Sequence, residues 1–142
     1  MNVHIDQQQI QELIQKYEDV PFVHNGRSLE EGFDCLGFVI AFYREFGIHL
    51  PSDDGKTIEK DWYKTDSERL VRGLKSVGGL EVSIHELQPL DLVYFAINRG
   101  IVTHTGIMIS DNEFLHMRPL IGLKRASLDG KWQRRFRGAV RF

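Results

Sequence analysis

The sequence predicts an α+β fold in one domain spanning residues 1–142. Three observations lead there. The first half of the chain carries apolar residues at helical spacing. From Gly78 onward the texture changes to short apolar runs separated by turn residues, which reads as a mostly antiparallel sheet. A single cysteine excludes an internal disulfide, so a packed apolar core must hold the fold, and 42% hydrophobic residues suffice for one.

The elements follow in order. Residues 6–18 read as a helix: Asp6 with Gln9 resembles a capping box, and Ile10, Leu13, Ile14 and Tyr17 share one face. Residues 20–32 form a loop punctuated by Pro21, Asn25-Gly26 and Gly32. A second helix is expected from Cys35 to Phe46. Its run from Leu36 to Phe42 is apolar nearly all round, as a buried helix requires, and Gly47 and Pro51 end it. Residues 57–76 read as a third helix, with Ile58, Trp62, Leu70, Val71 and Leu74 inward. Strands are expected at 91–96, 103–110 and 113–117, the last two forming a hairpin about Asp111-Asn112. Residues 120–128 and 138–142 add two more.

Net charge is −2 but unevenly spread, with acids concentrated in residues 1–34 and bases in residues 118–142. A basic tail can serve a polyanion partner. Its Arg residues alternate with apolar ones, which fits a solvated edge strand better, where charge blocks sheet-to-sheet pairing. No nucleic-acid motif is present. No segment reaches the ~18 apolar residues of a membrane span. The start, MNVHIDQQQIQELIQ, lacks the basic and apolar regions of a secretory signal, so synthesis in the cytoplasm is expected.

Cys35 falls in the first turn of the expected second helix, where Asp34 can cap. Unpaired N–H groups at a helix start favour a thiolate, so Cys35 is a candidate nucleophile; as a small hydrophobe opening a core helix it would be inert. A thiolate needs a base. His104 and His116 lie on the two expected hairpin strands, within cross-strand reach, so one imidazole can accept the proton while the other orients it. His4, His49 and His85 read as solvated. Cys35, His104 and His116 could instead ligate zinc, but no close ligand pair such as Cys-x-x-Cys or His-x-x-x-His accompanies them.

The segments GFDCLGFV and REFGIHLP together resemble the nucleophile region of the NlpC family of papain-like cysteine peptidases. LQPLDLVYF is similar to the family's Pro-Gly-Asp strand motif, with Leu90 in place of the glycine. THTGIMISDNEFLHM is similar to its base-bearing hairpin. The resemblance runs from about residue 18 to the C-terminus. It implies a papain-like NlpC fold, N-terminal helices packed on the sheet, Cys35 as nucleophile at a helix N-terminus, His104 as base and His116 as the orienting third member. No cofactor or metal is implied. The substrate it implies is a bacterial peptidoglycan stem peptide, cut next to D-glutamate at a γ-D-glutamyl-diamino acid bond.

Asp34, Phe22, His24 and Arg27 are the expected substrate-binding residues. Leu36 stands where many members have serine; in relatives that trim short wall peptides, that serine and the preceding aspartate hold a free amine. Phe22 stands where many have a tyrosine hydroxyl. His24 and Arg27 read equally well as groove-lining or as solvent-facing loop residues. PFVHNGRSLEEGFDCLG and WQRRFRGAVRF are similar to short wall peptidases encoded with phage and prophage tail genes, which implies delivery to the wall by a tail or lysis machinery and tail proteins as partners. The rival expectations are a non-catalytic tail component that keeps the fold, and thioester-based acyl transfer.

Overall fold

The computed structural model describes residues 6–50, 72, 78–98 and 100–142. Helix α1 (Gln7–Tyr17) is followed by a small hairpin, β1 (Arg27–Ser28) and β2 (Gly32–Phe33), and then by helix α2 (Cys35–Arg44). Strands β3 (Leu80–Glu81), β4 (Leu92–Asn98), β5 (Ile101–Met108), β6 (Glu113–Arg118) and β7 (Gly122–Ser127) come next. The short helix α3 (Gly130–Arg135) leads into β8 (Phe136–Arg141). The expected helix over 57–76 lies outside the described residues, apart from helical Arg72.

The main sheet has the order β3-β8-β4-β5-β6-β7, and every neighbouring pair is antiparallel. The expected α+β class is therefore present. One expectation changes: β8 is not an edge strand but lies between β3 and β4. Its Ala139 and Val140 are buried against β4, while Arg137 is exposed. Alternating Arg and apolar residues suit an interior strand with one face wetted as well as an edge. The charged edge is β7, whose Lys124 and Arg125 face solvent.

Two apolar clusters sandwich the sheet. Ile10 and Leu13 of α1 and Phe38, Val39 and Phe42 of α2 pack with Leu92, Tyr94, Ile107, Leu115 and Met117. The second cluster holds Val93, Phe95, Met108, Phe114 and Trp132. The alternation of 92 and 94 against 93 and 95 assigns β4 side chains to the two layers.

Helix α1 begins at Asp6, whose carboxylate accepts the Gln8 N–H at 2.9 Å. The reciprocal bond of a capping box, from Gln9, is not formed among the described residues. Helix α2 ends as expected at Gly47, with φ 77°. Ile48 N–H reaches the Tyr43 carbonyl at 3.0 Å and Gly47 N–H the Arg44 carbonyl at 3.1 Å, the paired bonds of a Schellman ending. Tyr43 hydroxyl donates to the Leu90 carbonyl at 2.7 Å, which ties α2 to the entry of β4. Among the described residues, no helix is long and apolar enough to cross a membrane.

Candidate active site

Cys35 opens α2, and Asp34 caps it. Asp34 Oδ1 accepts the Gly37 N–H at 2.7 Å. The same oxygen accepts from Arg27 Nη1 at 2.7 Å, and Oδ2 accepts the Asn25 N–H at 3.1 Å. The carboxylate is thus engaged by the helix, the preceding loop and a cation. Gly37 makes this possible: a Cβ there would overlap the Gly26 carbonyl, so only glycine lets the loop carrying Arg27 run against the helix start. With the Gly37 N–H taken by Asp34, the first-turn N–H groups of Cys35 and Leu36 have no intrahelical acceptor and remain able to donate to an anion.

Cys35 itself is partly exposed, although protein encloses most of the sulfur's surroundings. Sγ contacts the Thr103 carbonyl at 3.9 Å. That carbonyl belongs to a β-bulge: Phe95 pairs with His104 and Ala96 with Val102, leaving Thr103 without a partner on β4. The sulfur therefore lies against the short segment that carries His104. No hydrogen bond joins Sγ to the His104 ring.

The two histidines do meet. His104 Nε2 lies 2.7 Å from His116 Nδ1, and both residues are buried. Gly106 permits the approach of their strands, since a Cβ there would come 2.8 Å from the Leu115 carbonyl and from the Phe114 ring. An aromatic box encloses the pair. Trp132 stacks on His104 at 5.7 Å and meets His116 edge-on at 4.9 Å; Phe95 and Phe114 close two further sides. Arg118, Lys131 and Arg135 sit 5.9, 5.5 and 5.3 Å from the Trp132 ring.

These surroundings set the protonation states. Burial, reinforced by the charges of Arg118 and Arg135, holds His104 down to about 4. Burial also leads for His116, followed by the neighbouring His104 and then Arg118 and Lys131. Both rings are therefore neutral near pH 7, and one donates to the other. With Nε2–H of His104 donating to Nδ1 of His116, the lone pair of His104 Nδ1 remains available as a base.

Helix-start activation alone predicts a lowered thiol. The outcome is the reverse: burial first, then the Asp34 charge, push Cys35 up to about 11, while Thr105 and Arg27 oppose. At rest the thiol is neutral and so is the histidine pair; the sulfur contacts the Thr103 carbonyl on the α2 side, while both rings pack on Phe95, Phe114 and Trp132 of the other layer.

The remaining expected site residues separate. Phe22 bridges Phe33 and packs on the core beneath the loop; His24 and Asn25 form its turn. Arg27 is held by Asp34. A cavity of about 470 Å³ opens beside Tyr17, Arg27, Phe33, Ala41 and Arg44, away from Cys35 and both histidines. Among the described residues no cluster of His, Cys, Asp and Glu is arranged for a metal. The facing nitrogens at 2.7 Å are hydrogen-bonded to each other rather than splayed as two tetrahedral ligands. The sequence gives no site role to Trp132, which lies in a stretch read for its charge alternation and its resemblance, or to Thr105, next to His104.

A family model described as NlpC/P60 family matches residues 19–141. The chain is 29% identical over 126 residues to the probable endopeptidase NlpC of Escherichia coli, covering 87% of this chain and 70% of that protein. It is 30% identical over 99 residues to a γ-D-glutamyl-L-lysine dipeptidyl-peptidase of Bacillus cereus, covering 68% of this chain but only 24% of that longer protein. A crystal structure of an NlpC/P60 family protein from Bacillus cereus shares the fold, with a TM-score of 0.69 at 24% identity, over 99% of this chain and 41% of that one. Cys35 opening a buried helix, packed on an antiparallel sheet that pairs His104 with His116, is thus the arrangement of a chain that belongs to the NlpC/P60 family.

Proposed function

We propose that this chain is a cysteine peptidase that hydrolyses an amide bond in peptidoglycan stem peptides, next to D-glutamate. One juxtaposition carries the reading: the thiol at the start of α2 lies against the β5 bulge bearing His104, whose far nitrogen is bonded to His116. The relative named for γ-D-glutamyl-L-lysine peptides supports the choice of bond.

In the reaction, Cys35 turns from the Thr103 carbonyl toward Nδ1 of His104, and the thiol proton passes to that nitrogen. The thiolate attacks the substrate carbonyl carbon. First-turn N–H groups of α2, with that of Cys35 among them, hold the oxyanion. The imidazolium keeps its Nε2–H on His116 and delivers the Nδ1 proton to the departing amine. A water then gives its proton to the same nitrogen, attacks the thioester and releases the acid, returning the thiol. Hydrogen bonds absent from a resting site can form only when substrate packs the cleft.

Cleavage at an internal bond fits best. The carboxylate adjoining the nucleophile already accepts from Arg27, Asn25 and Gly37 and has its charge offset by Arg27, and Leu36 offers no side-chain hydrogen bond, so a substrate's free ammonium would be held weakly there. The phage-tail reading supplies the route: carried on a tail, the protein would meet the wall from outside, and co-sedimentation with tail particles tests that part.

A second reading is favoured by the thiol raised to about 11 and the lack of a Cys35–His104 hydrogen bond: a non-catalytic tail component. Digestion of defined stem peptides by the native protein and by Cys35→Ala, read by mass spectrometry, separates the two. New fragments from the native protein alone are expected. Fragments from both proteins, or from neither across several wall types, would overturn the peptidase reading.

A further inference from the structure

Thr105 is a fully buried polar residue, and its hydroxyl makes no well-formed hydrogen bond. Such a group costs stability, and threonine at a buried strand position is readily replaced by valine of the same shape. Its location explains why a hydroxyl is useful there. Thr105 pairs with Tyr94 on β4, and Tyr94 belongs to the apolar layer that α2 covers. The Thr105 hydroxyl is thereby brought beside the Cys35 sulfur, close enough to favour negative charge on it. The Thr103 carbonyl, two residues earlier, takes the other approach to the same sulfur at 3.9 Å. A carbonyl can only accept, so it suits the protonated thiol. A hydroxyl can donate, so it suits the thiolate.

We propose that Thr105 stabilises the Cys35 thiolate: as the thiol proton leaves, the Thr105 hydroxyl turns its hydrogen onto the sulfur and takes up the hydrogen bond that it lacks at rest. The hydroxyl's O–H bond stays intact. The only proton transferred is the one that goes from Sγ to His104, and the sulfur's contact passes from the Thr103 carbonyl, an acceptor, to Thr105, a donor. The proposal rests on Cys35 being the nucleophile, and it adds a residue that the triad does not include.

The test is the pH dependence of Cys35 alkylation by iodoacetamide in the folded protein, which reads the sulfur without any peptide. Cys35 is the chain's sole cysteine, so the signal is unambiguous. Thr105→Val is expected to move the midpoint up by about one pH unit, slowing alkylation below the midpoint about tenfold. Thr105→Ser should restore the native profile. The melting temperature of Thr105→Val should equal or exceed the native value, since an unmet buried hydroxyl is removed. An unchanged midpoint in Thr105→Val overturns the proposal, as does a shift that Thr105→Ser shares. Should the valine variant not fold, Thr105→Ala serves with the same expectation. Peptide cleavage is scored separately: a protein that cuts no stem peptide but shows the shift refutes the peptidase reading and leaves this one standing.

Discussion

The neutral, buried histidine pair makes stability fall in mild acid, and the size of the effect follows from the site. An imidazole in the unfolded chain titrates near 6.5, whereas His104 is held down to about 4. The folded-state value is depressed by burial of a group that becomes cationic. Its contribution is therefore fully present above about 6.5 and is lost as pH falls toward 4. At pH 5 the unfolded chain has bound the proton and the folded one has not, which removes about 2 kcal/mol. The ceiling below pH 4 is about 3.4 kcal/mol, from a gap of about 2.5 pH units at about 1.36 kcal/mol each. His116 is depressed in the same direction, but the rings share one hydrogen bond and titrate as a pair, so the two contributions are not added. Glu45 is held below its ordinary 4.5, chiefly by the Lys16 hydrogen bond, and loses its share only in stronger acid, so pH 5 isolates the histidines. Urea unfolding of the native protein and of a His104→Gln/His116→Asn double variant, at pH 8 and pH 5, measures the effect. Fluorescence of Trp132, which touches both rings, is a suitable probe. The native protein should lose about 2 kcal/mol more than the variant between those pH values. Equal losses in the two proteins would show that the pair is not buried in the neutral state.

Two further changes probe the surroundings of the nucleophile. Arg27→Met removes the cation on Asp34 while keeping the side chain's length; loss of a charged hydrogen bond predicts about 1–3 kcal/mol lower stability. With the carboxylate freed, the preference for internal over free-amine stem peptides should fall about tenfold, and an unchanged ratio of kcat/KM for blocked and unblocked peptides would refute that role. Leu90 has φ 74° at the position where relatives of the motif carry glycine, as the third residue of a turn begun by Gln88 and Pro89. Leu90→Gly relieves about 1–2 kcal/mol of left-handed strain but forfeits a buried leucine worth about 2–5 kcal/mol, so a net loss of about 1–3 kcal/mol is expected in urea unfolding. A gain in stability would mean that the leucine contributes little to the core.

The layering of this fold was legible because its signals are local. The apolar run from Leu36 to Phe42 suits a buried helix, with Asp34 to cap it and Gly47 to end it, and the turn at Asp111-Asn112 sets the β5–β6 hairpin within a residue or two. The pairing of His104 with His116 was legible from their places on that hairpin. What escaped was non-local. Helix α3 has only six residues and no side-chain cap; it depends on Trp132 packing over two histidines that are adjacent only after folding. The position of β8 was hidden because the same alternation serves an edge or an interior strand. The choice between an activated and an inert thiol stayed open in the sequence for a related reason. A helix start argues for a low value, but the burial that reverses it comes from strands far along the chain.

That reversal bears on how such a site works. An imidazole pushed down by burial and a thiol pushed up by burial both favour the neutral forms, so the resting site does not hold a thiolate–imidazolium pair. The elements that create these shifts are those that the reaction must offset. The Asp34 charge raises the thiol, yet it also caps the helix whose first N–H groups receive the oxyanion. The aromatic box keeps His104 neutral, which preserves it as a base at the cost of a weak one. Thr105 and the first-turn N–H groups can act only once negative charge develops, so their stabilisation falls on the transition state rather than on the resting thiol. A site arranged this way holds an unreactive cysteine until substrate displaces water and turns the sulfur. It should therefore react slowly with small alkylating agents at pH 7, while a stem peptide with its scissile carbonyl against the start of α2 is cut at a rate that alkylation does not foretell.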